Sequence, residues 1–529
     1  MGLTDPGTAT DRTLLPRHVD TEVACLDLAE RPFSVCPLFS DGMVLQRDQE
    51  NWVWGTAPRG AGVVVEVDGE RFPTRSGEDG RWRVVIRSLP VGGPYTMTVC
   101  SGGRTIAIAD ILSGDIWLCA GQSNMEWPLA KIDSAEGEIA AAQYPSVRYY
   151  GVSHAASSVP VHDLPKGDRW HACSPANAQW FSAVGYFFAR DLHLGLGIPI
   201  GLIDNSYGGT CAEAWTSIDA VRADPSLHPI LARHDGATAD ESAYQQSVEV
   251  WRKDVAEWNS LPEAEQTQWP VMLKWWRRIR PPYGHPHCVD GPGSLFNANV
   301  HPLSRYGIKG VLWYQGESNV DRASEYRALL AGLIQDWRAR WSQPELPFLV
   351  VQLANCGMPE ECPVSSPLAE LRDAQRNVIG GTSGAALVVT IDVGDATNCH
   401  PSNKAPVGHR LYLAALSVAY GRRLVSSGPI YERMEVEGEE IRLYFSSAGR
   451  GLVARGGGPL RHFGVSGPSG RFLRANARIE ENAVVVYHPE VTNPVAVRYA
   501  WSGNPDGCNL YNEEGLPASP FRTDSALLS

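Results

Sequence analysis

The sequence predicts an α/β protein: a doubly wound parallel sheet with β regions before and after it and a helical insertion within it. Three observations carry that prediction. Five apolar runs, unbroken by polar alternation, recur from Ile116 to Gly394, with helical patterns among them. Strands apolar on both faces belong to parallel sheets covered on each side, whereas alternating strands belong to sheets with one wet face. On either side of this region the chain breaks into short runs rich in Val, Thr, Tyr and Trp, punctuated by Gly, Asp and Pro, the pattern of small antiparallel β units.

Taken in order, residues 1–32 read as a flexible N-terminal tail. The opening "MGLTDPGTATDRTLLPRHVDTEV" has no basic region followed by an apolar one, so no signal peptide is expected and a cytoplasmic location is. Residues 33–110 read as a β-sandwich, on "NWVWG", "GVVVEVDG", "RWRVVIRSL" and "YTMTVCSGG". Near Ile111 the pattern changes. "IWLCA" leads to the helical "SAVGYFFARDLHLGLG", and "IPIGLIDN" follows. "KGVLWYQ" precedes "SEYRALLAGLIQDWRARW", "PFLVVQLANC" precedes "LAELRDAQRNVIGG", and "AALVVTIDVG" precedes "VGHRLYLAALSVAYG". These place the central α/β domain at 111–217 and 286–427. Residues 218–285 are polar and helical, as in "SAYQQSVEVWRKDVAEWNSL", and read as an insertion. Residues 428–529 turn β again, and their last stretch, "LYNEEGLPASPFRTD", has no period and is expected to pack irregularly.

With 529 residues the chain exceeds what one core organises. No apolar run approaches the ~20 residues that span a bilayer. A net charge of −13 argues against nucleic acid and anionic membranes as partners. The eleven cysteines are scattered, odd in number and without CxxC spacing, so free thiols are expected. "HPHC" (His285, His287, Cys288) looks like a metal site on paper, but it lies in a Pro/Gly-rich stretch with no second ligand pair, and a loop is the better reading.

Chemistry collects just past the strands. The first run ends in Gly121-Gln122-Ser123-Asn124, the second in Asn205-Ser206-Tyr207-Gly208-Gly209-Thr210, and the third in Gln315-Gly316-Glu317-Ser318-Asn319. The last is followed by Asp392, Asp395 and His400. A serine on a sharp turn, paired glycines, side-chain amides, carboxylates and a histidine are the parts of acyl transfer. Ser123 is the candidate nucleophile and His400 its base. Gly208, Gly209, Gln315 and Asn319 are candidate oxyanion donors. Gln122, Asn124, Glu317, Trp127 and Trp215 are candidate substrate contacts, the tryptophans as a sugar platform alongside Trp313. Cys119 lies within the apolar strand and is expected to be inert. Each residue alone has a bland reading as turn, cap or core; together at one sheet edge they read as a site.

The segments "WLCAGQSNMEWPL", "DNSYGGTCAEAW", "HPLSRYGIKGVLWYQGESN" and "HPSNKAPVGHRL" resemble the signature segments of the sialate O-acetylesterase family, within the SGNH (flavodoxin-like) hydrolases. "LFSDGMVLQRD", "VWG" and the C-terminal "RYAWSGNP" extend the likeness over most of the chain. The resemblance implies removal of O-acetyl groups from sialic acids or other acetylated sugars, with no metal or organic cofactor. It implies Ser123 as nucleophile, His400 as base, and oxyanion donors from the Ser123 backbone, Gly208 or Gly209, and Gln315. An acetylated polysaccharide is the alternative substrate, and a sugar-binding protein with a decayed site is the alternative class. One position departs from the pattern: where SGNH enzymes place an Asp three residues before the histidine, this chain has Thr397, and Asn398-Cys399 precede His400. Asp395 is therefore expected to orient His400, with Asp392 as the weaker candidate and a Ser123–His400 dyad as the other outcome.

Overall fold

The structure, a computed structural model, describes residues 31–164, 169–262, 265, 275, 278–285, 288–360 and 365–524. Its centre is a sheet whose parallel strands are β1 (Arg104–Gly121), β2 (Tyr144–Gly151), β3 (Ile200–Ser206), β4 (Gly310–Tyr314), β5 (Phe348–Val351) and β6 (Ala385–Val388). They stand in the order β2-β3-β1-β4-β5-β6, every neighbouring pair parallel, with His171–Cys173 antiparallel outside β2. All residues of β3, β4 and β5 are buried, which is why these runs carry no polar alternation. The five expected runs each contribute a strand. The sixth, β2, is not among them. Its sequence "YPSVRYYG" carries Pro145, Ser146 and Arg148, and Arg148 is buried because its guanidinium pairs with Asp110 at 2.6 and 3.1 Å.

Helices cover both faces. Gly185, in the helix Ala183–Leu196, lies against Cys119 and Leu202, and Phe188 meets the edge of Trp117. Residues of opposite parity, Trp313 and Phe348, meet Trp337 of the helix Ala323–Arg340 on the other side. Ala405–Val418 packs beside Ala183–Leu196, and Pro367–Gly380 beside Ala323–Arg340. The helix ends follow local chemistry. Ser182 accepts from the Gly185 N–H at 3.1 Å, and Gly197 closes the same helix at φ 68°. Ser366 caps Pro367–Gly380, with proline at the first turn.

The flanking regions are β, as the sequence predicts. Ser34–Val35, Asn51–Thr56 and Arg81–Ile86 form one small sheet. Gly62–Val67, Glu70–Arg75 and Gly92–Ser101 join the first half of β1, and Val44–Gln46 runs parallel to its middle. Strand β1 thus passes unbroken through the expected boundary at 110/111. What changes there is burial: every residue from Ile111 to Gly121 is buried, whereas most of the first half is not. Residues 218–260 form the helices Ile218–Ala223, His228–Ala239 and Glu241–Ser260. From Ile430 onward three small sheets follow. The last stretch, expected to be irregular, contributes Leu510–Asn512 and Phe521–Arg522 to two of them. The expected tail lies almost wholly outside the described residues, as does His287. His285 packs against Trp251 with ring centroids 4.7 Å apart. The nine described cysteines are unpaired, and no described helix is long and apolar enough to cross a membrane.

Strand β1 ends where the site begins. Gly121 has φ 127°, and a Cβ there would stand 2.2 Å from the Tyr314 carbonyl oxygen. Gly121→Ala should therefore lower thermal stability by at least the ~1–3 kcal/mol that such backbone strain costs. A thermal melt and the specific activity of the folded fraction check this; both should fall, because the same turn aims Ser123.

Candidate active site

Three strand ends are stitched together by backbone bonds. The Gln122 N–H donates to the Tyr314 carbonyl at 3.0 Å and the Tyr207 N–H to the Gly121 carbonyl at 2.9 Å. Ser123 opens the short helix Ser123–Glu126. His400 stands on the loop between β6 and Ala405–Val418. Its Nε2 is 2.7 Å from Ser123 Oγ, the separation of a hydroxyl hydrogen bond. The imidazole stacks on Trp127, with centroids 5.0 Å apart and planes 8° from parallel. The Asn398 side-chain oxygen accepts the His400 backbone N–H at 2.9 Å. His400 as a residue is 6% exposed. Burial first, then the positive charge of Lys404, lowers the His400 pKa from 6.5 to about 4; Glu126 pulls the other way. The imidazole is thus neutral at ordinary pH, the form that accepts a proton.

Neither Asp395 nor Asp392, the two expected acids, is turned toward this histidine. Asp395, expected to orient it, accepts instead from the Thr397 N–H, the Thr397 hydroxyl and the Asn398 N–H at 2.7, 2.8 and 3.1 Å. It closes an Asx turn, a common fate of aspartate in loops. Asp392 forms a paired contact with Arg410, 2.7 Å on each oxygen, and accepts from Tyr511 at 3.1 Å. Burial pushes its carboxyl up, but Arg410 outweighs that and holds it below the usual range. The imidazole is stacked on Trp127, and its Nδ1 lies 3.6 Å from the Cys399 thiol.

Several expected donors and contacts prove to be scaffold. Gln315 is fully buried; its Nε2 donates to the Thr210 carbonyl at 3.1 Å and to Asn319 Oδ1 at 2.7 Å. Asn319, also fully buried, accepts in addition from the Ala212 N–H and donates to Glu213 at 2.8 Å. Neither offers Ser123 a free donor. Gln122 accepts from the Gly316 and Ser318 N–H groups at 3.4 and 3.3 Å. Asn124 donates to Glu317 at 2.5 Å and to the Cys399 carbonyl at 3.0 Å. These side chains tie loops together instead of facing a sugar. Trp215 and Trp313 are fully buried and meet edge to face at 6.2 Å, so they form no platform. Of the three tryptophans only Trp127 stays beside the serine and histidine. Cys119 is buried and its thiol pKa is raised well above its ordinary value.

The two glycines separate. Gly208 lies against Ser123: a Cβ on it would be 3.4 Å from Ser123 Cβ. Its N–H donates to Glu126 Oε2 at 2.6 Å. The Gly209 N–H has no acceptor among the described residues, while both glycine carbonyls accept from Arg280, itself paired with Asp290 at 2.8 Å. Glu126 also meets His154 Nε2 at 3.0 Å, and His154 stacks on Tyr207 with centroids 3.9 Å apart. Glu126 and His154 escaped the sequence reading. Glu126 carried a signal, since the third residue after Ser123 on a helix returns to the same face. His154 carried none, because it follows the unexpected strand β2.

A serine held against a neutral histidine beyond the ends of parallel strands is an arrangement suited to hydrolases that work by acyl transfer. Comparisons with known proteins narrow it. A family profile described as "Carbohydrate esterase, sialic acid-specific acetylesterase" matches residues 293–416. Sialate O-acetylesterase of Mus musculus is 30% identical over 524 residues, covering 90% of this chain and 92% of that protein. The Homo sapiens protein of the same name is 28% identical, covering 92% of each. A crystal structure of a carbohydrate acetylesterase from Xanthomonas citri superposes with TM-score 0.78 at 36% identity, over 93% of this chain and 99% of that one. The chain belongs to the sialate O-acetylesterase family.

Three outcomes follow from the geometry. Asp395→Ala should change kcat/KM less than tenfold, far below the ~10⁴ that loss of a triad carboxylate costs in the serine-protease example. Asp392→Ala should lower Tm more than kcat. The acid limb of kcat/KM should lie well below the ordinary histidine value of 6.5, toward 4, because the folded histidine gives up its proton at lower pH. A rate profile from pH 3.5 to 9 on wild type and both variants measures the rates and the acid limb, and a thermal melt measures Tm.

Proposed function

We propose that this protein is a serine carbohydrate O-acetylesterase that works through the pair Ser123–His400. The observation that carries this reading is the 2.7 Å contact between Ser123 Oγ and His400 Nε2. Ser123 attacks the acetyl carbonyl carbon while His400 takes the hydroxyl proton. The carbonyl π electrons move to oxygen, and the resulting anion lies toward the Ser123 and Gly209 N–H groups. Collapse breaks the bond to the sugar oxygen, which leaves with the proton from His400. Water then attacks the acetyl-serine, His400 again taking and returning one proton, and acetate departs. Backbone donors aimed at the anion contribute most when charge develops, which raises kcat more than it lowers KM.

Sialic acid esters are the first substrates indicated, on the likeness to the mammalian sialate O-acetylesterases. The likeness to the Xanthomonas citri carbohydrate acetylesterase extends the range to other acetylated sugars. The strand order, with helices on both faces, supports reading the sheet as a doubly wound SGNH arrangement. Residues 111–217 and 286–427 then form the catalytic unit, with 218–285 inserted between strands.

Ser123→Ala should abolish acetate release from acetylated sugars and from p-nitrophenyl acetate, with an unchanged melting curve. A sulfonyl fluoride should label the wild-type peptide containing Ser123 and leave the variant unlabelled. Near-native turnover by pure Ser123→Ala protein would remove the serine from this role.

A further inference from the structure

Behind the nucleophile lies a charged cluster that acyl transfer does not use. Lys404 is completely buried, just ahead of the helix Ala405–Val418, and its carbonyl accepts from the Val407 and Gly408 N–H groups at 3.1 Å. Its ammonium donates to Asn124 Oδ1 at 2.5 Å and sits 5.5 Å from the centre of the Tyr314 ring. The other end of the same amide grips Glu317 and the carbonyl next to His400, as described above. Glu317 Oε2 is sealed from solvent and has no partner among the described residues. Nucleophile helix, histidine loop and the loop after β4 therefore meet at one amide and one ammonium.

We propose that Lys404 is a positioning residue of this esterase: its ammonium clamps Asn124, and through it the Cys399 carbonyl of the histidine loop. The inference rests on the Ser123–His400 reading above. The charged groups around His400 are Glu126 and Lys131, from the nucleophile helix and the turn after it, and Lys404 from its own loop. The carboxylate favours an imidazolium; both lysines oppose it. Around Lys404 stand Glu317, the Cys399 thiol and the Tyr314 ring.

The clamp has a consequence for rate. His400 carries a positive charge in the transition state, and a second positive charge nearby raises that barrier. When Lys404 loses its proton, the barrier falls. Burial lowers the Lys404 pKa from 10.5 to about 7, against the opposing pull of Glu317. The pH profile should therefore rise twice: once as His400 loses its proton, well below 6.5, and again near 7 as Lys404 does. Loss of a neighbouring like charge makes His400 the stronger base, so the upper plateau should exceed the lower.

The experiment is kcat/KM for acetate release from an acetylated sugar across pH 3.5 to 9, using full-length wild type, Lys404→Met and Glu317→Gln. Lys404→Met should lose the upper rise, move the lower one toward 6.5, and lower kcat. Glu317→Gln retains an acceptor for Asn124 but withdraws the negative charge, so the upper rise should move below 7 in a folded enzyme. This second variant carries the test if Lys404→Met does not fold. A single rise in wild type, an upper rise that survives Lys404→Met, or one that stays in place in Glu317→Gln would each overturn the assignment to Lys404. Absence of acetate release by wild type from every acetyl ester would instead overturn the esterase reading.

Discussion

The close approach of Gly121 to Tyr314 is the contact from which the rest of the site follows. Two parallel strands come together at their ends without a side chain between them, and the chain turns there in a conformation suited to glycine. The bond from the Gln122 N–H to Tyr314 and the bond from Tyr207 back to Gly121 fix three loops to one another. Ser123, the Gly208–Gly209 turn and the Glu317 segment inherit their positions from that backbone junction. The uniformly buried strands beneath make the junction rigid, because interiors packed at crystal-like density transmit small displacements instead of absorbing them.

His400 is held by ring packing and by amide hydrogen bonds to its loop. Stacking on Trp127 contributes on the order of 0.5–1.5 kcal/mol beyond burial alone. The Asn398 side chain pins the backbone, and Asn124 pins the preceding carbonyl. Orientation thus comes from packing and amide bonds. Electrostatic support comes from across the site, where Glu126 stands against two lysines. A ring in this setting spends more energy becoming charged than one backed by a carboxylate, and gains a base form that persists into acid.

Much of this was legible in the sequence, for physical reasons that differ from residue to residue. The strands could be read because burial on both faces removes polar residues, and the site could be read because parallel strands deliver their loops to one edge. Ser123 and His400, which the structure brings within 2.7 Å of each other, were singled out by residue type and place. The acid was misread because loop aspartates serve turns and arginines as readily as histidines: Asp395 and Asp392 differ from a triad acid only in which way the chain points them. Gln315 and Asn319 were misread for a similar reason, since an amide that ties loops together and one that meets an oxyanion look the same in one dimension. Strand β2 was missed because the partner that permits its buried arginine, Asp110, lies far away in sequence.

The continuity of β1 has a further meaning for how the molecule can be taken apart. One strand is the last member of the N-terminal β region for half its length and the central beam of the hydrolase sheet for the other half. A cut at the point where the sequence pattern changes, between Asp110 and Ile111, would sever that beam about a dozen residues upstream of Ser123. The N-terminal region is therefore no detachable cassette. Exchanging it between relatives would have to carry the beam along, and with it the turn that aims the serine, so the outer β strands and the catalytic centre are constrained to change together.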